Sequence, residues 1–289
     1  MKKQPNVSSF GFINVDKSSG VTSSSIGNKL KWLSGVPCGH MGTLDPLASG
    51  VLPVGIGNAT RLFDYFLEKK KEYVAQFTFG VSSDTLDSTG TLVYGGSIPT
   101  AEEIEKVLPT FLGEIAQVPP KYSAKNVNGK RGYDLARAGI DFELPAKNVQ
   151  IYGLDLLGVG REQNSYLVRV QCGGGTYIRS LARDIAAALQ TNAVMSGLRR
   201  TKSGIFEVEN ALKIEEITEE NIQSFIIPTE SVLPYETLVL TARNKDMIFH
   251  GVEIKTDAEE GIYKYYQEDK FYGLAQVKGG RAKLVKKLC

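Results

Sequence analysis

The chain has 289 residues, room for two domains of ordinary size, and its 42% apolar and 23% charged residues exclude wholesale disorder. Thirty-four Lys and Arg against 32 Asp and Glu leave a net charge of +2, so charge balance alone does not announce a nucleic-acid binder. Three cysteines (Cys38, Cys172, Cys289) without metal-ligand spacing argue against a disulfide framework or a zinc site. No apolar run is long enough to span a membrane, and the opening MKKQPNVSSF has no apolar stretch behind its lysines, so a cytoplasmic protein without a signal peptide is expected.

In chain order, residues 12–15 read as a short strand closed by a turn at 18–20. Ile26, Leu30 and Leu33 then recur at i, i+4 and i+7, predicting a helix with Thr22 or Ser23 as its N-cap. Residues 72–80 alternate, with Tyr73, Ala75, Phe77 and Phe79 on one face of a half-buried strand. Residues 102–107 are helical in pattern, and 120–147 form a long polar excursion with a short helix near 133–138. A strand at 166–172 ends in three glycines, and a helix from about 180 to 189 carries Leu181, Ile185 and Leu189 on one side. An acidic helical stretch (Glu215, Glu216, Glu219, Glu220) precedes a boundary at 228–234. About 55 residues beyond it, with Tyr263, Tyr265, Tyr266, Phe271 and Tyr272 among turns, read as a small β-rich module. This irregular order favours an α+β fold over a doubly wound sheet.

Basic residues gather in three places: Lys69 to Lys71, six between Lys121 and Lys147 against three acids, and the last dozen residues (Lys278, Arg281, Lys283, Lys286, Lys287). Each is by itself compatible with a solvated face. The densest chemistry is GHMGTLDPLASG at 39–50. Asp45 precedes Pro46 and is driven from the helical region, although Asp-Pro is also a good helix start with Asp as N-cap. Gly39, Gly42 and Gly50 allow a backbone or a ligand to approach closely. His40 is either a hydrogen-bonded structural residue or a flat ring for base stacking. In GGGTYIRS at 173–180 the glycines are a weak phosphate signal without a following Lys-Ser/Thr pair. If that stretch is extended, Tyr177 and Arg179 point the same way, and an arginine facing a carboxylate lowers its pKa and keeps it ionised. Tyr73 reads equally well as a core tyrosine.

The string GHMGTLDPLASGVLPVGIGNATR resembles the catalytic signature of the TruB-type tRNA pseudouridine synthases, which isomerise uridine 55 in the T-loop. KEYVAQFTFGVSSDTLDSTG (71–90) resembles the family's second block, and PPKYSAKNVNGKRGYDLARAG (119–139) its RNA-gripping loop. GGGTYIRSLARD and LRRTKSGIF (198–206) are similar to its later motifs, so five ordered blocks cover most of residues 10–210. The tail from about 232 resembles, less sharply, the small RNA-binding PUA module.

The resemblance implies a mixed, mainly antiparallel sheet with flanking helices in a catalytic domain over 1–230, with an RNA-gripping loop at 119–147 and a PUA-like domain at 232–289. It makes Asp45 the aspartate that attacks the uridine, Arg179 its paired arginine, and Tyr73 the tyrosine that stacks on the base and helps remove a proton. Tyr177 and Leu198 would line the uracil pocket, and His40 would hold flipped T-loop nucleotides. Lys17, Lys130, Arg131, Tyr133 and Arg137 complete the implied substrate-binding set, with binding that weakens steeply in salt. No metal or organic cofactor is implied; the partner is the T-arm of tRNA, with no membrane and no obligate protein partner, and the chain is expected to be a monomer.

The chain departs from the family pattern in Lys17-Ser18, where Lys-Pro is common, in Val36-Pro37-Cys38, where basic residues are common, and in Lys125-Asn126, where an apolar residue then lysine is usual. Three other readings compete: a guide-dependent, dyskerin-type relative; a catalytically idle RNA-binding or RNA-folding protein; and an aspartate nucleosidase, which needs a second carboxylate such as Asp84 or Asp87.

Overall fold

The computed structural model describes residues 7, 10–67, 70–123, 126, 127, 130–132, 135, 138–267 and 270–288, without the side chains of 67, 126, 127, 130 and 131. The chain opens with strand β1 (Gly11–Lys17) and helix α1 (Ser23–Ser34). Thr22 caps α1 by accepting the Ser25 N–H, and Gly35, at φ 72°, ends it in the left-handed conformation. Strands β2 (Cys38–His40) and β3 (Ser49–Ile56) flank the Asp45 loop. No helix follows Asp45-Pro46; the Asp45 carbonyl instead accepts from Ala48 in a tight turn that leads into β3. Helix α2 (Phe63–Leu67) precedes β4 (Lys71–Phe79), whose buried residues alternate as the sequence predicts.

Then come β5 (Val81–Ser83), β6 (Leu92–Tyr94), α3 (Ala101–Val107), β7 (Gly113–Gln117), and the short pair β8 (Asn126–Val127) and β9 (Lys130–Arg131). The long β10 (Lys147–Val159) runs against β11 (Ser165–Cys172). Helix α4 (Ile178–Ala188) leads to β12 (Ala193–Ser203), β13 (Phe206–Glu207) and β14 (Ile227–Pro228). Over the predicted acidic helical stretch the chain makes only short 3-10 turns, at Ile214–Glu216 and Ile222–Phe225.

Among the described residues the main sheet has ten strands in the order β14-β1-β3-β12-β4-β11-β10-β7, with β2 on β3 and β13 on β12. Every pairing in it is antiparallel except β12 with β3, so the sheet is mixed and mainly antiparallel. That parallel contact lets the end of the Asp45 loop meet β12, where Ser49 and Gly50 stand beside Arg199 and Arg200. Helices α1 and α4 pack Ile26, Leu30, Leu33, Leu181 and Ile185 into a core with Ile13, Val15, Ala75, Phe77 and Met195.

After α5 (Thr229–Val232) and α6 (Ala242–Phe249), a second sheet is built from β15 (Ile254–Lys255), β16 (Gly261–Gln267), β17 (Lys270–Lys278) and β18 (Arg281–Lys287), in the order β15-β18-β17-β16. The aromatic run is β-rich as predicted, with α6 added to it. The two sheets share a cluster in which Phe12, Met41, Val51 and Phe66 pack with Leu233, Leu274 and Leu288. Among the described residues no helix is long and apolar enough to cross a membrane.

Candidate active site

The loop between β2 and β3, the start of β4, the middle of β12 and the first turn of α4 converge on a cavity of about 400 Å³. Asp45, Tyr73, Tyr177, Arg179 and Leu198 all line it, although they are spread over 154 positions of sequence from 45 to 198. Arg179 is 7% exposed and its Nε lies 2.9 Å from Asp45 Oδ2. The remaining guanidinium edges are also taken: Nη1 donates to the Thr85 carbonyl (3.1 Å) and faces Asp87 Oδ2 (3.4 Å), and Nη2 donates to the Tyr122 carbonyl (3.1 Å). A planar fork held on every edge presents one fixed nitrogen to Asp45.

The Asp45 side chain, 35% exposed, is open to the cavity. Burial pushes its carboxyl above the ordinary carboxylate range, Arg179 pulls it back, Asp87 adds to the rise and Lys17 opposes it. The lowering by arginine expected from the sequence is therefore present, but loss of solvent outweighs it. The sequence premise that Tyr177 and Arg179 share a face of an extended segment is also corrected. Only Tyr177 is extended; Arg179 lies within α4, and both reach the cavity because the helix begins at Ile178. Tyr177 has no side-chain cap to offer, and its N–H is bound instead by Gln117 Oε1 (2.8 Å) from the end of β7.

Tyr73, on the buried face of β4, combines both of its sequence readings: it is a core residue and also forms part of the cavity wall. Burial raises its phenol pKa, opposed by a hydrogen-bonded Arg200, so it is a neutral phenol at neutral pH. Lys17 does not line the cavity. Fully buried, its ammonium donates to the carbonyls of Val21 (2.8 Å), Ser18 (3.0 Å) and Pro46 (3.4 Å), which commits it to holding the Asp45-Pro46 turn rather than a substrate. Burial lowers its pKa to about 8. His40 pairs with Val54 on β3, outside the cavity wall. Its Nδ1 is buried with no hydrogen-bond partner among the described residues. Lys130 and Arg131 form β9 but their side chains lie outside the described atoms, and Tyr133 and Arg137 lie outside the described residues altogether.

Three further residues belong to the site. Asp87, 5% exposed, takes Thr85 Oγ1, Thr89 N and Thr89 Oγ1 on Oδ1 while its other oxygen faces Arg179. Arg200 is 1% exposed, is the cross-strand neighbour of Tyr73, and donates to the carbonyls of Val51 (2.7 Å) and Gly42 (3.1 Å). Lys71 lines the cavity two residues before Tyr73 on the same face. The sequence carried a signal for Asp87 only as a nearby carboxylate and for Lys71 only as part of a basic run. Arg200 needed the pairing of β12 with β4, which no local pattern supplies.

A half-buried carboxylate on a fixed guanidinium, in a cavity walled by Tyr73, Tyr122, Tyr177, Leu44, Ile178, Met195 and Leu198, is equipped to take a flat base and attack it or its sugar. Comparison with known proteins agrees. The profile of the TruB family pseudouridylate synthase N-terminal domain matches residues 31–178, and that of the tRNA pseudouridylate synthase B C-terminal domain matches 179–239. The four-stranded sheet lies beyond both. Similar relatives include tRNA pseudouridine synthase B of Clostridium tetani, 39% identical over 96% of this chain and 99% of its own length. The protein of the same name from Synechocystis is 42% identical over 84% of each. Among solved structures, a Cbf5-Nop10-Gar1 complex has a chain superposing with a TM-score of 0.71 at 26% identity, over 97% of this chain and 85% of that one. A chain of an H/ACA RNP bound to a substrate RNA containing 2'-deoxyuridine gives 0.70 at 25% identity, with the same coverage. On sequence, fold and site together, the chain belongs to the TruB family of pseudouridylate synthases.

Proposed function

We propose that the protein isomerises uridine to pseudouridine in tRNA, at uridine 55 of the T-loop, without a guide RNA. The observation that carries this reading is the Asp45–Arg179 pair at a cavity of about 400 Å³, roomy enough for a flipped nucleotide, walled by Tyr73, Tyr177 and Leu198. The relatives that match over nearly the full chain bear the name of a tRNA enzyme, which favours a stand-alone synthase over the guide-dependent assemblies seen among the structural neighbours. A nucleosidase is disfavoured because Asp87 is locked by Thr85, Thr89 and Arg179, while Asp84 binds the Thr91 N–H and lies in a different cavity.

In this reading the target base is flipped from the T-loop, at a cost of about a few kcal/mol that stacking on the aromatic wall offsets in part. The ionised Asp45 attacks, Arg179 holds its carboxylate in line, and the cavity, covered by the bound RNA, keeps the detached uracil beside C1′ until the carbon–carbon bond forms. Tyr73, a neutral phenol tied to Arg200, stacks on the base and passes on the C5 proton. Residues 1–230 make up the catalytic unit, the basic loop at 119–147 grips the T-arm, and 232–289 add a PUA-like RNA-binding module. The protein acts as a cytoplasmic monomer with no obligate protein partner. Affinity for tRNA falls steeply as salt is raised; an affinity flat across a salt titration removes the loop's role as a phosphate clamp.

The deciding experiment is pseudouridine formation on an unmodified tRNA transcript, mapped by nucleotide with no guide present, for wild type and Asp45→Asn, with binding of tRNA measured for both. Product at position 55 from wild type alone, with binding retained by both, is expected. Tight binding without product from wild type would sink the stand-alone synthase and leave an RNA-binding or guide-dependent protein.

A further inference from the structure

Arg200 is the largest fully buried side chain among the described residues, and it carries a permanent charge. Among the described residues its partners are the Val51 and Gly42 carbonyls and the Tyr73 phenol, not a carboxylate. Lys71 brings a second cation into the same wall. A methyl group built on Gly42 would lie 3.7 Å from Arg200 Nη1 and 3.9 Å from Lys71 Cε, so both crowd one stretch of the loop that carries Asp45. Both line the cavity, and Arg179 on α4 is occupied on all edges by Asp45, Asp87 and two carbonyls. Two cations lining one wall favour negative charge in the cavity beside them.

The proposed reaction delivers that charge. Where Asp45 attacks the sugar rather than C6 of the ring, its oxygen bonds to C1′ as the C1′–N1 bond breaks, and the electron pair stays with the uracil, spread over N1, O2 and O4. One negative charge thus moves from the carboxylate, where Arg179 holds it, to the ring. It returns when C5 bonds to C1′ and the ester bond breaks; C5 then loses its proton and N1 gains one. We infer that Lys71 and Arg200 form the electrostatic receptor for the detached uracil anion, Lys71 by facing the ring and Arg200 by backing it and fixing Tyr73. The inference rests on the synthase reading and assigns the charge-accepting half of its site. Donors and cations already in place where charge develops act without reorganisation.

The test separates leaving-group chemistry from folding. Single-turnover cleavage of the glycosidic bond is followed in tRNA carrying uridine or 5-fluorouridine at position 55, for wild type, Lys71→Met and Lys71→Arg, with tRNA binding measured in parallel. Fluorine stabilises negative charge on the ring, so the fluorinated base depends less on the receptor. Lys71→Met is expected to slow cleavage of uridine by about 10²-fold with binding retained. Its loss on 5-fluorouridine should be several-fold smaller, and Lys71→Arg should recover most of the rate. Arg200→Lys is the companion variant, since Arg200→Met removes the ties to Val51 and Gly42 and is expected to compromise folding. Equal losses on both bases, or a loss confined to tRNA binding, overturn the receptor while leaving the synthase intact. No cleavage by wild type overturns the synthase reading and the receptor with it.

Discussion

An attacking carboxylate has to be ionised, and Asp45 sits between a guanidinium that favours its charge and surroundings that penalise it more. Because the net shift is upward, the protonated form persists to higher pH than for a solvent-exposed aspartate. The rate is therefore expected to rise with pH through an acid limb lying above the ordinary carboxylate range. Asp87 contributes to that rise and also anchors Arg179, so Asp87→Asn should have two separable effects. Loss of its charge should move the acid limb down in pH, while a less firmly held guanidinium should lower the plateau by about 10²-fold. A kcat/KM profile for both proteins checks the pair; an unmoved limb would show that Asp87 acts by position alone. At the alkaline end Lys71 matters, its pKa lowered to about 8 by burial and by Arg200, with Cys172 opposing. It is cationic below that value and neutral above it, so activity should fall as pH rises through about 8. Lys71→Arg, which cannot lose its charge in this range, should move that fall upward; a fall left in place would point to the other lowered amine, Lys17.

The elements that carry these residues are joined where local pattern is least informative. At Gly50, φ is +100°, and a methyl group built there would lie 2.1 Å from the Arg200 carbonyl oxygen. This glycine is where β3 and β12 run parallel, and it sets the distance from the Asp45 loop to Arg200 and Leu198. Gly50→Ala combines a left-handed backbone with a clash against main chain, and is expected to cost about 2 kcal/mol or more and to lower activity along with it. Chemical denaturation checks it; an unchanged midpoint would mean that the strands part without loss. The glycine density around Asp45 did reveal a close approach from sequence alone, but not which strand approaches. Helix α1 and strand β4 were legible because each has one buried face and a clear period, and α1 has a threonine cap. β3 and β12 were not, because β3 is buried nearly throughout and shows no alternation, and the residues of β12 facing the cavity are Met195, Leu198 and Arg200, a mixed set in a strand interrupted by bulges. The acidic stretch near 215–220 misled for a related reason: its charges suit a helix, but without a sustained apolar stripe the chain settles into isolated 3-10 turns. Asp45, Tyr73, Tyr177, Arg179 and Leu198 were placed together through family resemblance, whereas Asp87 was visible only as a nearby carboxylate and Arg200 emerges only when the strands are paired.

At the scale of the whole molecule, the break in composition near residue 230 suggests two independent units, but their apolar surfaces are shared. Phe12 of β1 stacks obliquely on Phe66 and Phe206, with ring centroids 4.8 and 5.9 Å apart, and the same cluster continues to Leu274 on β17 and to Leu288. The contact is reinforced at its edge, where Arg61 Nη1 donates to the Lys287 carbonyl (2.8 Å) and Lys286 lies 3.9 Å from Asp64. The exposed ion pair contributes little, so the burden falls on the apolar cluster. Through Met41 and Val51 that cluster also backs the Asp45 loop, since the Val51 carbonyl accepts from Arg200. Leu274→Ala, a fully buried truncation in the four-stranded sheet, is expected to cost about 2–5 kcal/mol. If the shared core couples the sheets, that loss should appear in the catalytic sheet as well. Amide hydrogen exchange in β1 and β3 should then quicken together with exchange in β17, and unfolding should remain one transition. Faster exchange confined to β15–β18, with β1 and β3 as protected as in wild type, would instead mean that the C-terminal sheet opens alone and that the geometry of the active site does not depend on it.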